Sequence, residues 1–193
     1  MQKNKQKPMP WLAFKIMSLI MNIKKKFRNI DEEISLVGIQ TGDYILDFGC
    51  GLGFNTFPAA QKVGDNGKVF ALDINPRAIK MIKEKNKNSN FKNIEAILSD
   101  CGTNLEDRKI DIVYLHNTLP LVKDKQQVLD EISRVLKVGG KLSYMSRTFS
   151  RAVGKNSMNG ERLKHNLEAD NKFRLVREKN GQLIFEKLEK KNT

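Results

Sequence analysis

The densest concentration of chemically useful residues lies in residues 43–56, where Asp47-Phe48-Gly49-Cys50-Gly51-Leu52-Gly53 follows a short apolar run. Glycines at alternate positions permit positive φ and let a ligand lie close against the backbone. The fixed carboxylate of Asp47 suits a ligand that carries positive charge. A dinucleotide would put pyrophosphate here, and its Gly-x-Gly-x-x-Gly spacing fails: counted from Gly49 the third position is Phe54, and from Gly51 it is Thr56. Asp73, Asp100 and His116 end later apolar runs in the same manner. Cys50 and Cys101 have neither a disulfide framework nor a repeated metal-ligand spacing, so they read as small packing residues and no metal site is expected.

These residues need elements to bring them together. Tyr44–Phe48 reads as a buried strand, residues 49–53 as a tight loop, and residues 54–63 as a helix closed by Gly64-Asp65-Asn66-Gly67. Further strands are expected at residues 68–72, Ile94–Leu98, Ile110–His116 and 141–145. Helices are expected from Pro76 to about residue 88 and at 125–136, with Val138-Gly139-Gly140 ending the latter. Residues 173–178 and Gln182–Lys187 flank Asn180-Gly181, a two-residue hairpin signal. Residues 147–160 read as loop and 161–169 as a helix. The pattern predicts an α/β fold: a doubly wound, mostly parallel seven-stranded Rossmann-like sheet with helices on both faces and a C-terminal antiparallel hairpin. Ligands of such sheets bind beyond the carboxyl ends of the strands, which here carry Asp47, Asp73, Asp100 and His116.

The chain has 193 residues and a formal net charge of +13, unevenly spread. Residues 1–28 hold 8 Lys/Arg and no Asp or Glu, residues 29–146 are close to neutral, and residues 147–193 hold 12 basic against 6 acidic groups. The charge therefore concerns whatever approaches the two flanks: an anionic substrate, a membrane surface or nucleic acid. Residues 1–10 read as disordered. Residues 11–28 read as an amphipathic helix with Leu12, Ile16, Leu19, Ile23 and Phe27 at helical spacing. Its uncharged run of residues 16–23 is far shorter than the ~20 residues a membrane span needs. It is expected either to pack across the domain as a lid or to lie on a membrane surface. A second short helix follows at residues 31–37. The organisation expected is an N-terminal helical extension or lid, residues 1–37, on a main domain, residues 38–193. The cysteine usage fits a reducing, cytoplasmic compartment.

The glycine motif, Asp73 after the second strand, Asp100 after the third, and Leu136-Lys137-Val138-Gly139-Gly140 before the fifth together resemble class I S-adenosylmethionine-dependent methyltransferases, over about residues 40–146. The order is similar to that of the small-molecule branch. The resemblance implies S-adenosylmethionine as cofactor and a role for each matching residue. Gly49, Gly51 and Gly53 would form the floor under its methionine part, with Asp47 anchoring the amino group directly or through water. Asp73 would accept from the ribose hydroxyls. Asp100 would accept from the adenine amino group with the Cys101 backbone nearby, and Ile74 would pack on the adenine ring. His116 would lie where cofactor and acceptor meet.

For this family's chemistry the protein mainly aligns a nucleophile with the methyl group and excludes water. A general base is required only where the nucleophile starts protonated; His116 is the first candidate and Tyr144 the second. Asn117-Thr118-Leu119-Pro120 departs from the motif of adenine amino methylases, no cysteine nucleophile follows the fourth strand, and two cysteines are too few to hold arsenite in the usual way. The histidine that the small-molecule branch often carries near Pro120 is missing. The expected function is methyl transfer to a small-molecule or lipid-like acceptor by in-line displacement. An RNA methyltransferase using the basic flanks and a non-catalytic cofactor-binding protein stay open as alternatives. Membrane-surface contact through residues 11–28 is a further expected partnership.

Overall fold

The structure, a computed structural model, describes residues 8–25, 30–89, 91–146, 160–169 and 171–189. Seven strands form one sheet in the order β3-β2-β1-β4-β5-β7-β6. They are β1 Tyr44–Phe48, β2 Lys68–Asp73, β3 Ile94–Leu98, β4 Ile110–His116, β5 Leu136–Met145, β6 Phe173–Lys179 and β7 Gln182–Lys187. The pairs β1·β2, β1·β4, β2·β3 and β4·β5 are parallel, whereas β5·β7 and β6·β7 are antiparallel. Among the described residues six α-helices accompany them: α1 Trp11–Lys25, α2 Ile30–Val37, α3 Thr56–Val63, α4 Pro76–Lys87, α5 Lys125–Val135 and α6 Gly160–Ala169. The strand order turns between β1 and β4, and this leaves a notch above the carboxyl ends of the strands.

Alternation along the strands sorts the core into two layers. Leu46, Phe48, Phe70, Leu72, Val113 and Leu115 join Val128, Ile132 and Val135 of α5 and Leu163 and Leu167 of α6. Ile45, Val69, Ile112 and Tyr114 join Ala59, Ala60 and Val63 of α3 and Val37 of α2. Side chains fix the helix ends. The Asn75 side chain accepts from Arg77 N at 3.0 Å and Pro76 opens α4; Asp124 accepts from Gln127 N at 3.0 Å and opens α5. Lys141 Nζ, 2.8 Å from Val37 O, closes α2.

Three expectations change. The helix before β5 stops at Val135, and Gly139-Gly140 lies inside β5, where the pairing with β4 shifts register between Ile110 and Ile112. Leu136 pairs with Ile110 ahead of the glycines, so the Gly-Gly pair is an irregularity within a strand and not the turn that ends a helix. A short 3-10 turn, Leu119–Leu121, follows β4 where the sequence carries no helical period. Pro8, Met9 and Pro10 are ordered against the body, with Met9 beside Phe14, Leu52 and Phe54. Residues 1–7 of the segment expected to be disordered, residues 26–28 of the expected first helix and residues 147–159 of the expected loop lie outside the described residues. Among the described residues no helix is long and apolar enough to cross a membrane.

Candidate active site

A cavity of about 560 Å³ occupies the notch. Its floor is backbone. After β1 the chain reverses at Gly49, φ +79°, whose N–H and that of Cys50 both donate to Leu72 O at 2.8 and 2.9 Å. A Cβ at Gly49 would overlap the Thr118 side chain, so the loops after β1 and β4 are in contact only because this residue is glycine. At Gly51 a Cβ would meet nothing within 4 Å. The floor is bonded to the second strand through Asp73: Oδ2 accepts from Gly51 N at 2.9 Å and Oδ1 from Asn75 N at 2.7 Å. Burial raises the Asp73 carboxyl above the ordinary value of 3.8, and the backbone donors Asn75, Gly51 and Ile74 oppose the rise.

The far wall is the loop after β3. Asp100 is exposed and lines the cavity beside Ser99. An ion-pair network behind it holds this loop. Thr103 N and Oγ1 donate to Glu131 Oε1 at 2.8 and 2.5 Å; Arg134 bonds Glu131, Asp107 Oδ1 and Leu105 O. The Arg134 guanidinium is the first cause that lowers the Glu131 carboxyl from 4.5 to about 2. On the other side stands His116, 8% exposed, its ring edge-on to Tyr114 at 5.0 Å. His116 Nε2 lies 2.8 Å from Ser143 Oγ; that oxygen accepts from Gln182 Nε2 at 2.9 Å, and the same Gln182 amide donates to Glu33 O at 3.0 Å. The imidazole is thereby fixed from β5, β7 and α2. The roof is apolar: Met9 and Phe14 pack with Leu52, Phe54 and Ala78, and Leu121 and Val122 come from the turn after β4.

Of the residues singled out in the sequence, Gly49, Gly51, Asp73, Ile74, Asp100 and His116 line this cavity. Asp47, Gly53 and Cys101 do not. Asp47 is 2% exposed, and its Oδ2 accepts from Thr56 Oγ1 at 2.6 Å, which ties β1 to the first turn of α3. This bond holds the helix that frames the floor. Gly53 is buried against Phe57 and Ile82, and Cys101 belongs to the core. Tyr144, the second candidate base, is 1% exposed and packed in the core outside the cavity. Cys50 lines the cavity, but burial, with Asp47 and Asp73 nearby, pushes its thiol well above its ordinary value, which keeps it a thiol. Asn55, Asn75, Asn117 and Thr118 also line the cavity and were not singled out. The φ of +56° at Asn117 reflects a turn that only the folded β4 end imposes.

The family of proteins defined by a methyltransferase domain matches residues 39–192. The chain belongs to the class I S-adenosylmethionine-dependent methyltransferases. It is 34% identical over 103 residues to an arsenite methyltransferase of Halobacterium salinarum, covering 53% of this chain and 26% of that protein. It is 31% identical over 128 residues to a demethylmenaquinone methyltransferase of Listeria welshimeri, covering 66% of this chain and 54% of that one. The chain thus spans from about a quarter to just over half the length of these two relatives. Among solved structures, an S-adenosylmethionine-dependent methyltransferase of Aquifex aeolicus shares the fold with a TM-score of 0.74 at 23% identity, covering 89% of this chain and 94% of that one. Residues 1–38, which include the roof residues Met9 and Phe14, lie outside the family match.

The family's cofactor is S-adenosylmethionine, and the donor set fits it. Two carboxylates, Asp73 and Asp100, face a cavity that no described lysine or arginine lines, in a chain of net charge +13. That balance suits a cationic ligand with hydroxyl and amino donors and is hostile to phosphate.

Proposed function

We propose that this protein transfers a methyl group from S-adenosylmethionine to a small, largely apolar acceptor. The observation that carries this reading is the division of the cavity: carboxylates and backbone on the floor and far wall, apolar side chains on the roof. Asp73 and Asp100 would hold the ribose and adenine ends, Ile74 would pack on the base, and Gly49 and Gly51 would let the methionine end lie against the backbone. The cofactor supplies an electrophilic methyl group through its sulfonium. The chain's part is to orient the acceptor and keep water away, which Phe14, Leu121 and Val122 do by covering the cavity with apolar surface. His116, bonded to Ser143, would take a proton from a hydroxyl acceptor. The similarity to enzymes named for arsenite and demethylmenaquinone supports a small-molecule acceptor. The buried state of both cysteines favours a quinone-like or lipid-like acceptor over a thiol-bound metalloid.

The test is a transfer assay with S-adenosylmethionine labelled in its methyl group, offered to cell extract and partitioned into organic, RNA and protein fractions. Label is expected in the organic fraction and should fall when Asp73→Ala is used. Label retained in RNA, with steep salt dependence, would overturn the acceptor class.

A further inference from the structure

Helix α1 presents two apolar sides. Phe14, 6% exposed, faces inward on Leu52 and Phe54 and covers the cavity. Leu12, Ile16, Leu19 and Ile20 are 61%, 52%, 63% and 44% exposed. At 3.6 residues per turn these four fall within an arc of about 100°, with Phe14 on the opposite side of the helix. The helical period read from the sequence is therefore the outward face, and the contact that docks α1 on the domain falls between its repeats.

We infer that this outward face of α1 is an interfacial element that seats Leu12, Ile16, Leu19 and Ile20 in the surface of an anionic lipid bilayer. Scattered exposed aliphatics are ordinary, but four adjacent on one helical face are an interaction surface. Charge selects the occupant. Residues 1–28 carry 8 Lys/Arg and no acidic residue, and Lys15 is exposed on α1 itself. A second copy would bring an equal set of positive charges against these, with no acid to offset them, so a self-complementary interface is disfavoured. The surface is one convex helix face and not a groove, which suits insertion among lipid headgroups better than capture of a protein segment. With 15 residues α1 lies along a bilayer and does not cross it. The inference does not rest on methyl transfer. Its consequence for the cavity is direct: the inner side of the helix that meets the lipid is part of the cavity roof, so an apolar molecule leaving the bilayer has one helix to pass.

The full chain is floated with vesicles of phosphatidylcholine alone and of phosphatidylcholine with about 30% phosphatidylglycerol. Flotation is expected with the anionic vesicles only, weakening as salt rises from about 0.1 M to about 0.5 M. The double variant Ile16→Glu/Leu19→Glu should lower the bound fraction at least ~10-fold. Val138→Glu, an exposed position on β5, should not change it. Both substituted α1 side chains are exposed, so unchanged thermal melting is expected to show that the fold is intact. Absence of flotation with anionic vesicles would overturn the inference. So would retained binding in the double variant, which would mean a purely ionic contact. A lipid-free dimer dissolved by Ile16→Glu/Leu19→Glu would assign the face to a second copy, and an acidic polypeptide captured in preference to vesicles would assign it to a protein.

Discussion

The floor and the roof of the cavity are built from different materials. The floor is backbone, held by one carbonyl and one carboxylate: Gly49 and Cys50 donate to Leu72 O and Gly51 to Asp73 Oδ2, and β1 and β2 pair beneath them. The roof is side chain laid on side chain, with Met9 and Phe14 resting on Leu52, Phe54 and Ala78. The donors of such a floor are groups almost every residue has, so its sensitivity to change is concentrated at the one position, Gly49, where a close approach requires glycine. A roof of this kind can change its side chains one at a time. The contrast suits a protein whose cofactor is shared across a family while its acceptor is its own, and the roof residues Met9 and Phe14 fall outside the family match.

The largest expected effect is at Gly49. Gly49→Ala combines a left-handed φ with overlap on Thr118, and should cost about 3 kcal/mol of stability in denaturant unfolding. Gly51→Ala, where a Cβ meets nothing, should cost about 1 kcal/mol. Equal losses at the two positions would break the claim that the floor is set by one close approach.

Asp73→Ala should weaken S-adenosylmethionine binding at least ~10-fold by calorimetry, as lost charge-assisted hydrogen bonds do. Burial holds this carboxyl above 3.8, so the ionised form, and tight binding with it, disappears on acidification at a higher pH than for a solvated aspartate. The variant's residual binding should lack that acid limb.

The far wall is tested through Glu131. Its folded value of about 2 lies below its ordinary 4.5, so ionisation favours the folded state; the gain is complete above pH 4.5 and is lost as pH falls toward 2. Glu131→Gln should therefore destabilise by about 1 to 2 kcal/mol at neutral pH and converge on the wild type near pH 2. The roof gives the smallest effect: Phe14→Ala should speed cofactor release about 3-fold in stopped-flow measurements while leaving the sheet's unfolding midpoint nearly unchanged.

The sheet was legible in the sequence because its strands are short apolar runs ended by polar residues or glycine. Tyr44–Phe48, Ile94–Leu98, Ile110–His116 and Gln182–Lys187 are found with the bounds expected. Asp73, Asp100 and His116 meet in one cavity for the same reason: parallel strands place their carboxyl ends on one side. What was not legible depends on contacts distant in sequence. Asp47 ends a strand as Asp73 does, yet its Oδ2 accepts from Thr56 Oγ1, a partner that only the placement of α3 supplies. The face of α1 that docks could not be read from its apolar period, since Phe14 stands outside that period and finds its partners only once the β1 loop has folded. The Gly139-Gly140 pair reads as a helix end in any local window; pairing of Leu136 with Ile110 makes it part of a strand.

The strand order also has a consequence in time. A ribosome completes β6 before β7, yet β7 is the strand that sits between β5 and β6. During synthesis β6 therefore leaves the exit tunnel with no strand to pair with, while β5 stands as an open edge. Gln182, the first residue of β7, is also the one that reaches Ser143 beside His116 and the carbonyl of Glu33 on α2. The cavity wall and the sheet are thus finished by the same late event: a nascent chain that has made every parallel strand can set Ser143 against His116 but still lacks the Gln182 amide that ties Ser143 to α2.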